Sequence, residues 1–138
     1  MSGSEVIELR SDLGGGKTTF VRGLVSGAKI TDRVSSPTFT LSRIYKNKHL
    51  QIHHFDFYRL DNPGILREQL EEALALKDAV VVVEWADIVK DVLPEDKITI
   101  EFGAVANDFN KRQIAINYPE SQSKLISKAE TKWRAENK

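Results

Sequence analysis

Three consecutive glycines lie between a short apolar run and an amphipathic stretch near the start of the chain. Val6 to Leu9 has the composition of a strand, and Lys17 to about Ser26 carries apolar residues at helical spacing, with Gly27 as a helix end. Successive glycines can take unusual φ/ψ values, so the loop can turn its backbone N–H groups toward one anion. The helix that follows adds partial positive charge at the same place. This order of strand, glycine-rich loop and helix predicts a phosphate-binding loop.

The phosphate-loop pattern G-x-x-x-x-G-K-(S/T) is met at Gly16, Lys17 and Thr18. Lys17 can reach the β- and γ-phosphates of a nucleoside triphosphate, and the Thr18 hydroxyl is placed to bind Mg²⁺. Ser11 stands where the pattern has its first glycine. Its Cβ would strain a loop that starts with positive φ, so we expect binding to survive but weaken. The alternative is a glycine-rich turn before an ordinary helix, with an incidental lysine.

Two carboxylates are candidates for managing the metal and the attacking water, which hydrolysis needs in addition to a phosphate loop. Glu84 ends the apolar run Ala79 to Val83, and Asp56 lies in an extended segment where alternation places His54, Asp56 and Tyr58 on one face. A buried carboxylate must be paired, solvated or metal-bound. Two alternatives remain open. Glu84 could be a helix cap or a surface pair, and Asp56 could pair with Arg59 or a lysine.

Neighbouring histidines do not indicate a metal site here. His53 and His54 are adjacent in an extended segment, so their side chains face opposite ways. Trp85 is interpreted as a packing or interface aromatic from its sequence context.

The remaining periodicity predicts an α/β fold. The unbroken β-branched run at 79–83 is typical of a strand buried on both faces of a parallel sheet. Extended runs at 38–45 and 50–58 flank a polar turn, which predicts an antiparallel hairpin. Short strands are expected at 98–102 and 113–118, around a loop at 103–110.

Two further helices are expected. One begins near Pro63, and its predicted apolar side carries the following residues: Ile65, Leu66, Leu70, Ala73, Leu74 and Leu76. The other contains Leu125, Ile126, Ala129 and Trp133 and is interpreted as a solvated helix or frayed end rather than a dedicated partner helix.

Length and composition predict one domain at 1–138, with a core at about 5–118 and a polar helix or tail at 121–138. Twenty basic and twenty acidic residues cancel, so no global basic field favours DNA or RNA. The absence of cysteine excludes disulfides, thiolate metal sites and cysteine nucleophiles. With no apolar run of membrane-spanning length and no visible secretory signal, a cytoplasmic protein without a membrane partner is expected.

Four segments together carry a resemblance to a known family. They are DLGGGKTTF at 12–20, SPTFTL at 36–41, HFDFYRL at 54–60 and VEW at 83–85. In order and spacing, from about Val6 to Tyr118, the chain resembles TsaE (formerly YjeE), the small bacterial P-loop ATPase required for making threonylcarbamoyladenosine (t6A) in tRNA. A phosphate loop alone is shared by many unrelated families, and the other three segments are much more selective.

The resemblance implies a P-loop NTPase fold, with a mostly parallel sheet flanked by helices and an inserted antiparallel hairpin. It implies ATP or ADP and Mg²⁺ as ligands, with Thr18 and Glu84 as metal ligands, directly or through water. Lys17, Asp56 and Glu84 would be the catalytic residues, and Asp56 would position water or contact the metal indirectly. The residues expected to contact the nucleotide are Asp12, Leu13, Gly14, Gly15, Gly16, Lys17, Thr18, Thr19 and Trp85.

The same resemblance implies a switch-like role for the loop around Pro37 and a protein partner. The partner is the TsaD–TsaB heterodimer, which transfers the threonylcarbamoyl group and which the ATPase would reset between turnovers. tRNA would be met only indirectly.

Two departures from the family pattern support an alternative function. Ser11 replaces a glycine, and the chain begins shortly before its first strand, whereas family members usually carry an earlier strand and helix. The alternative is a catalytically weak nucleotide-binding interaction module of the same fold. A small-molecule kinase is ranked last, because the chain offers little room for an acceptor domain or a lid.

Overall fold

A six-stranded sheet organises the protein in a computed structural model, which describes residues 1–11, 16–35, 37, 41–58 and 60–137. The strands are β1 (Val6–Arg10), β2 (Ser42–Lys46), β3 (Gln51–Asp56), β4 (Ala79–Glu84), β5 (Ile98–Val105) and β6 (Asp108–Asn117). The α-helices are α1 (Lys17–Gly27), α2 (Gly64–Leu74) and α3 (Ser123–Glu136), and short 3₁₀ helices span Ala86–Val89 and Glu120–Gln122.

The strand order is β2-β3-β4-β1-β5-β6. β3, β4, β1 and β5 run parallel, while β2 and β6 join the two edges as antiparallel partners of β3 and β5. The predicted mixed fold and the antiparallel hairpin at β2–β3 are therefore confirmed. β4 lies between β3 and β1, and all six of its residues are buried, because helices cover both faces of a parallel sheet.

The core has two halves, one on each face of the sheet. On one face, Val21 and Val25 of α1 pack with Val80 and Val82 of β4. On the other face, α2 and the 3₁₀ helix at Ala86–Val89 pack against a cluster that includes Val81 and Val83. Alternate residues of β4 thus serve opposite cores, which explains why its sequence shows no polar alternation.

The apolar side of α2 is narrower than the sequence predicts. Leu66, Leu70 and Ala73 are buried, as the 3.6-residue period requires. Ile65 is 71% exposed, so its placement on the apolar side is wrong. It precedes Leu66 by one residue and is therefore rotated by about 100° from the buried stripe. Leu76 lies beyond the end of the helix and is 39% exposed.

β5 and β6 are longer than predicted, and most of the loop expected at 103–110 belongs to the strands. Val105 pairs with Asp108, so only two residues, Ala106 and Asn107, make the turn. Asn107 has a φ of 63°, a conformation that short hairpin turns favour and that asparagine adopts readily. A tight turn therefore replaces the predicted loop.

α3 has no buried residue. Leu125 and Ile126 pack partly against the α1-side core, while Trp133 is 63% exposed. No helix in the described part of the chain is long and apolar enough to cross a membrane.

Candidate functional site

The site is built at the carboxyl ends of the central parallel strands. Asp56, the last residue of β3, pairs in register with Glu84, the last residue of β4, and Glu84 also pairs with Leu9 of β1. Residues at matching positions of parallel neighbours project to the same face. The register therefore places the two predicted carboxylates side by side on the α1 face of the sheet, and both residues are buried.

Each of the two side-chain oxygens of Glu84 lies close to a nitrogen atom of another buried side chain. Its Oε1 lies 3.7 Å from the Nζ of Lys17, and its Oε2 lies 2.7 Å from the Nε2 of His54. All three side chains are at least nine-tenths buried. The open alternatives for Glu84, a helix cap or a surface pair, do not describe this arrangement, because the carboxylate is buried and paired on both oxygens.

Lys17 is the first residue of α1, and its side chain reaches back to Ser11, directly after the end of β1. Its ammonium donates to the carbonyl oxygen of Ser11 at 3.0 Å and lies 5.0 Å from the centre of the Trp85 ring. Gly16, at the N-cap, has a φ of 105°, which favours glycine. The first turn of α1 has no acidic residue and no side-chain cap, and the partial positive charge of a helix N-terminus favours an anion there.

Asp56 helps to shape the chain that leaves β3. Its Oδ1 accepts a hydrogen bond from the backbone N–H of Tyr58 at 2.9 Å. The backbone N–H of Phe57, the residue between them, donates to the carbonyl oxygen of Glu84 at 3.1 Å. These bonds hold the segment after β3 against the end of β4. The predicted alternative partner Arg59 lies outside the described residues.

Trp85 occupies a strained backbone position directly after Glu84. Its φ is 55°, which is rare for a bulky side chain and costs free energy that the surroundings must supply. The indole packs on Tyr58, with ring centres 4.9 Å apart, and also covers the Lys17 ammonium. Nothing in the sequence signals this left-handed turn, which lets the ring reach Lys17 while it also packs against the core on the α2 side.

Ser11 does not show the strain that its Cβ could cause. The described non-glycine residues with positive φ are Ser4, Lys29, Leu41, Trp85 and Asn107. Since Ser11 is not one of them, the condition under which we expected weakened binding is not met. The strength of nucleotide binding remains a prediction.

The other predicted site residues divide into two groups. Thr18 and Thr19 lie in the first turn of α1, where Thr18 is half-buried and Thr19 exposed. Asp12, Leu13, Gly14 and Gly15 lie outside the described residues, as do Ser36 and Thr38 of the predicted switch-like loop.

His54 is the site residue that sequence reasoning missed as a functional contact. Its side chain is fully buried on the α1 face, and it holds Glu84. The signal was the alternation that places His54 and Asp56 on one face, but the sequence could not show that Glu84 of another strand lies beside them.

The donor set agrees with magnesium more than with a metal held by the protein alone. Among the described residues, no three His, Asp or Glu side chains form a metal-binding cluster. Mg²⁺ is commonly bound through one or two carboxylates together with substrate phosphates and water. The carboxylates of Asp56 and Glu84, side by side in register, would fit such a site together with the hydroxyl of Thr18 in the first turn of α1.

A mostly parallel six-stranded sheet flanked by helices, with antiparallel strands at both edges, defines a mixed α/β protein. The family model described as "Threonylcarbamoyl adenosine biosynthesis protein TsaE" matches residues 1–114. The chain belongs to this family, and the resemblance inferred from the four sequence segments is confirmed.

Similar proteins support the assignment. Relatives named tRNA threonylcarbamoyladenosine biosynthesis protein TsaE are 35% identical over 109 residues in Bacillus subtilis strain 168 and 34% identical over 125 residues in Rickettsia felis. These matches cover 75% and 89% of this chain, and 65% and 71% of the relatives. A relative of the same name from Nostoc is 39% identical over 90 residues, which are 63% of this chain and 56% of the relative. The chain therefore spans less than two thirds of the Bacillus and Nostoc proteins.

The crystal structure of Bacillus subtilis YdiB has the same fold. It superposes with a TM-score of 0.72 at 28% identity, over 94% of this chain and 78% of YdiB.

Proposed function

We propose that the chain is a magnesium-dependent ATPase that supports t6A modification of tRNA in the cytoplasm by acting on a TsaD–TsaB heterodimer. The observation that carries the ATPase proposal is the approach of Lys17 to Glu84, 3.7 Å apart at the carboxyl edge of the sheet. A P-loop lysine and an acid at the end of a neighbouring strand are the pair that phosphoryl transfer by P-loop enzymes uses.

The residues at the site divide the work of hydrolysis. The backbone N–H groups of the first turn of α1 and the ammonium of Lys17 would bind the ATP phosphates and stabilise the charge that develops on them. The Thr18 hydroxyl and the carboxylate of Glu84 would hold Mg²⁺, directly or through water. Bound magnesium neutralises phosphate charge and aligns the terminal phosphoryl group.

Asp56 has a separate role in this proposal. Its carboxylate lies beside Glu84 in register and would orient the attacking water or contact the metal indirectly. Trp85 already covers Lys17, and its ring would border the bound nucleotide and limit access of bulk water to it.

The biological role rests on the family and on the charge of the chain. The relatives are named for t6A biosynthesis, and the balance of twenty basic and twenty acidic residues favours a protein partner over direct contact with tRNA. The TsaD–TsaB heterodimer is the partner implied by the resemblance, and resetting that dimer between turnovers is the proposed use of the ATP.

ATP turnover by purified wild type and Lys17→Ala, with and without a TsaD–TsaB pair, tests the proposal. Lys17→Ala removes the charge that compensates the β- and γ-phosphates, so turnover should be abolished. Lys132→Ala, at an exposed position of α3, is the matched control and should hydrolyse ATP normally. Unchanged turnover in Lys17→Ala contradicts the ATPase assignment. Nucleotide binding without turnover, even with the heterodimer, favours the catalytically weak module instead.

A further inference from the structure

The buried imidazole of His54 has one hydrogen-bond partner and one orphaned nitrogen. Nε2 lies 2.7 Å from Glu84 Oε2, and because a carboxylate only accepts, Nε2 carries the hydrogen. Nδ1 is buried and has no hydrogen-bond partner, the only such buried side-chain atom in the described part of the chain. Burying a polar atom without a partner costs free energy. A leucine or phenylalanine would avoid that cost, so packing alone does not account for a histidine here.

The contact also determines which oxygen of Glu84 faces Lys17. His54 lies on β3 two residues before Asp56, and its register partner is Val82, two residues before Glu84. The ring therefore approaches Glu84 from inside the sheet and engages Oε2. Oε1 is left on the side of Lys17 Nζ, at 3.7 Å. Without the ring, Glu84 could rotate about its side-chain bonds, and either oxygen could turn away from Lys17.

We propose that His54 is a positioning residue that presents Oε1 of Glu84 to the magnesium of a bound nucleotide. This inference rests on the proposed ATPase function, and it assigns to His54 no contact with the nucleotide or the reacting atoms. Histidine–carboxylate contacts orient metal ligands in many proteins, and loss of such a partner typically lowers metal affinity by about 10- to 100-fold.

The test compares two substitutions of His54, one that retains an N–H donor and one that removes it. His54→Gln keeps an N–H donor at about the distance of Nε2 from the backbone, whereas His54→Leu fills similar space without a donor. His53→Leu is the matched control, because His53 pairs with Val81 of the opposite core. Thermal unfolding of each variant reports whether it is folded.

The first measurement is calorimetric affinity for ADP with and without Mg²⁺, and the ratio of the two affinities is the gain from the metal. In His54→Leu this gain should fall by about tenfold or more, while metal-free affinity stays within about threefold of wild type. His54→Gln and His53→Leu should retain the wild-type gain. Equal losses in His54→Gln and His54→Leu, or no loss in either, overturn the proposal.

The second measurement needs neither nucleotide nor metal, and it covers the case that His54→Leu does not fold. In wild type labelled with ¹⁵N-histidine, His54 should show a protonated Nε2 whose resonance shifts in Glu84→Gln. An unchanged Nε2 resonance overturns the contact on which the proposal depends. If wild type binds no ADP but the shift is seen, the proposed ATPase function fails while the His54–Glu84 contact stands, so the two failures are distinguishable.

Discussion

Glu84→Gln should change nucleotide binding in opposite directions with and without magnesium. The Glu84 carboxylate lies 3.7 Å from the Lys17 ammonium in a buried site. A phosphate that approaches Lys17 must compete with this carboxylate and is repelled by it. Glutamine keeps the shape of the side chain and removes the charge, so it should favour phosphate binding when no metal is present.

The distance between Lys17 and Glu84 sets the size of the expected gain in metal-free ATP affinity. At 3.7 Å and an effective dielectric constant of about 20, the attraction between Lys17 and Glu84 is at most about 4.5 kcal/mol. The amide dipole of glutamine retains part of it, and the phosphate regains contact with Lys17. If about a third of the attraction is released, metal-free ATP should bind about tenfold more tightly, since tenfold corresponds to about 1.4 kcal/mol.

When magnesium is present, Glu84→Gln should perform worse than wild type. Loss of a metal-binding carboxylate should slow hydrolysis by about 100-fold, which corresponds to about 2.7 kcal/mol. The assays are ATP affinity in excess chelator and steady-state hydrolysis at a series of magnesium concentrations. Glu72→Gln, at an exposed position of α2, is the control and should change neither. Unchanged or weaker metal-free binding in Glu84→Gln refutes the competition argument, and an unaffected rate at limiting magnesium shifts the metal-binding role to Asp56.

Four further substitutions test the fold and the loop. Leu70→Ala, at a fully buried position of α2, should lower the free energy of unfolding by about 2–5 kcal/mol in urea titrations. Ile65→Ala, on the exposed side of the same helix, should change it by less than about 0.5 kcal/mol. Equal effects of the two substitutions would contradict the faces assigned to α2. Burial lowers the pKa of His53, with Asp78 partly opposing the shift. The unfolded chain therefore binds the extra proton first, and the free energy of unfolding should fall as the pH drops below about 6.5. His53→Gln should reduce that slope in urea titrations between pH 5 and 8, and an unchanged slope would exclude His53 as its source. Ser11→Gly should leave ATP affinity within about threefold of wild type, since Ser11 has no positive φ; a large gain in affinity would show that the serine impairs the loop.

The sequence was sufficient wherever a signal is local. The helix after the glycine-rich loop depends on a 3.6-residue period and the buried strand β4 on an unbroken apolar run, and both were predicted close to their observed limits. The prediction failed at Ile65, which lies about 100° around α2 from the buried stripe. It also failed at the β5–β6 turn, where the backbone conformation of Asn107 decides the outcome.

For the candidate site, too, some features follow from the sequence and others from the tertiary structure. The sequence by itself singled out the glycine-rich loop, Lys17 and the two acids, because these residue types at these spacings are typical of phosphate and metal sites. Only the tertiary structure brought Glu84 beside Asp56 and under His54, since strand register is set by the packing of side chains that are far apart in the chain. The left-handed turn at Trp85, which brings its ring over Lys17, likewise depends on contacts across the sheet. Local residue chemistry specified what the site could bind, and long-range packing decided which atoms face each other.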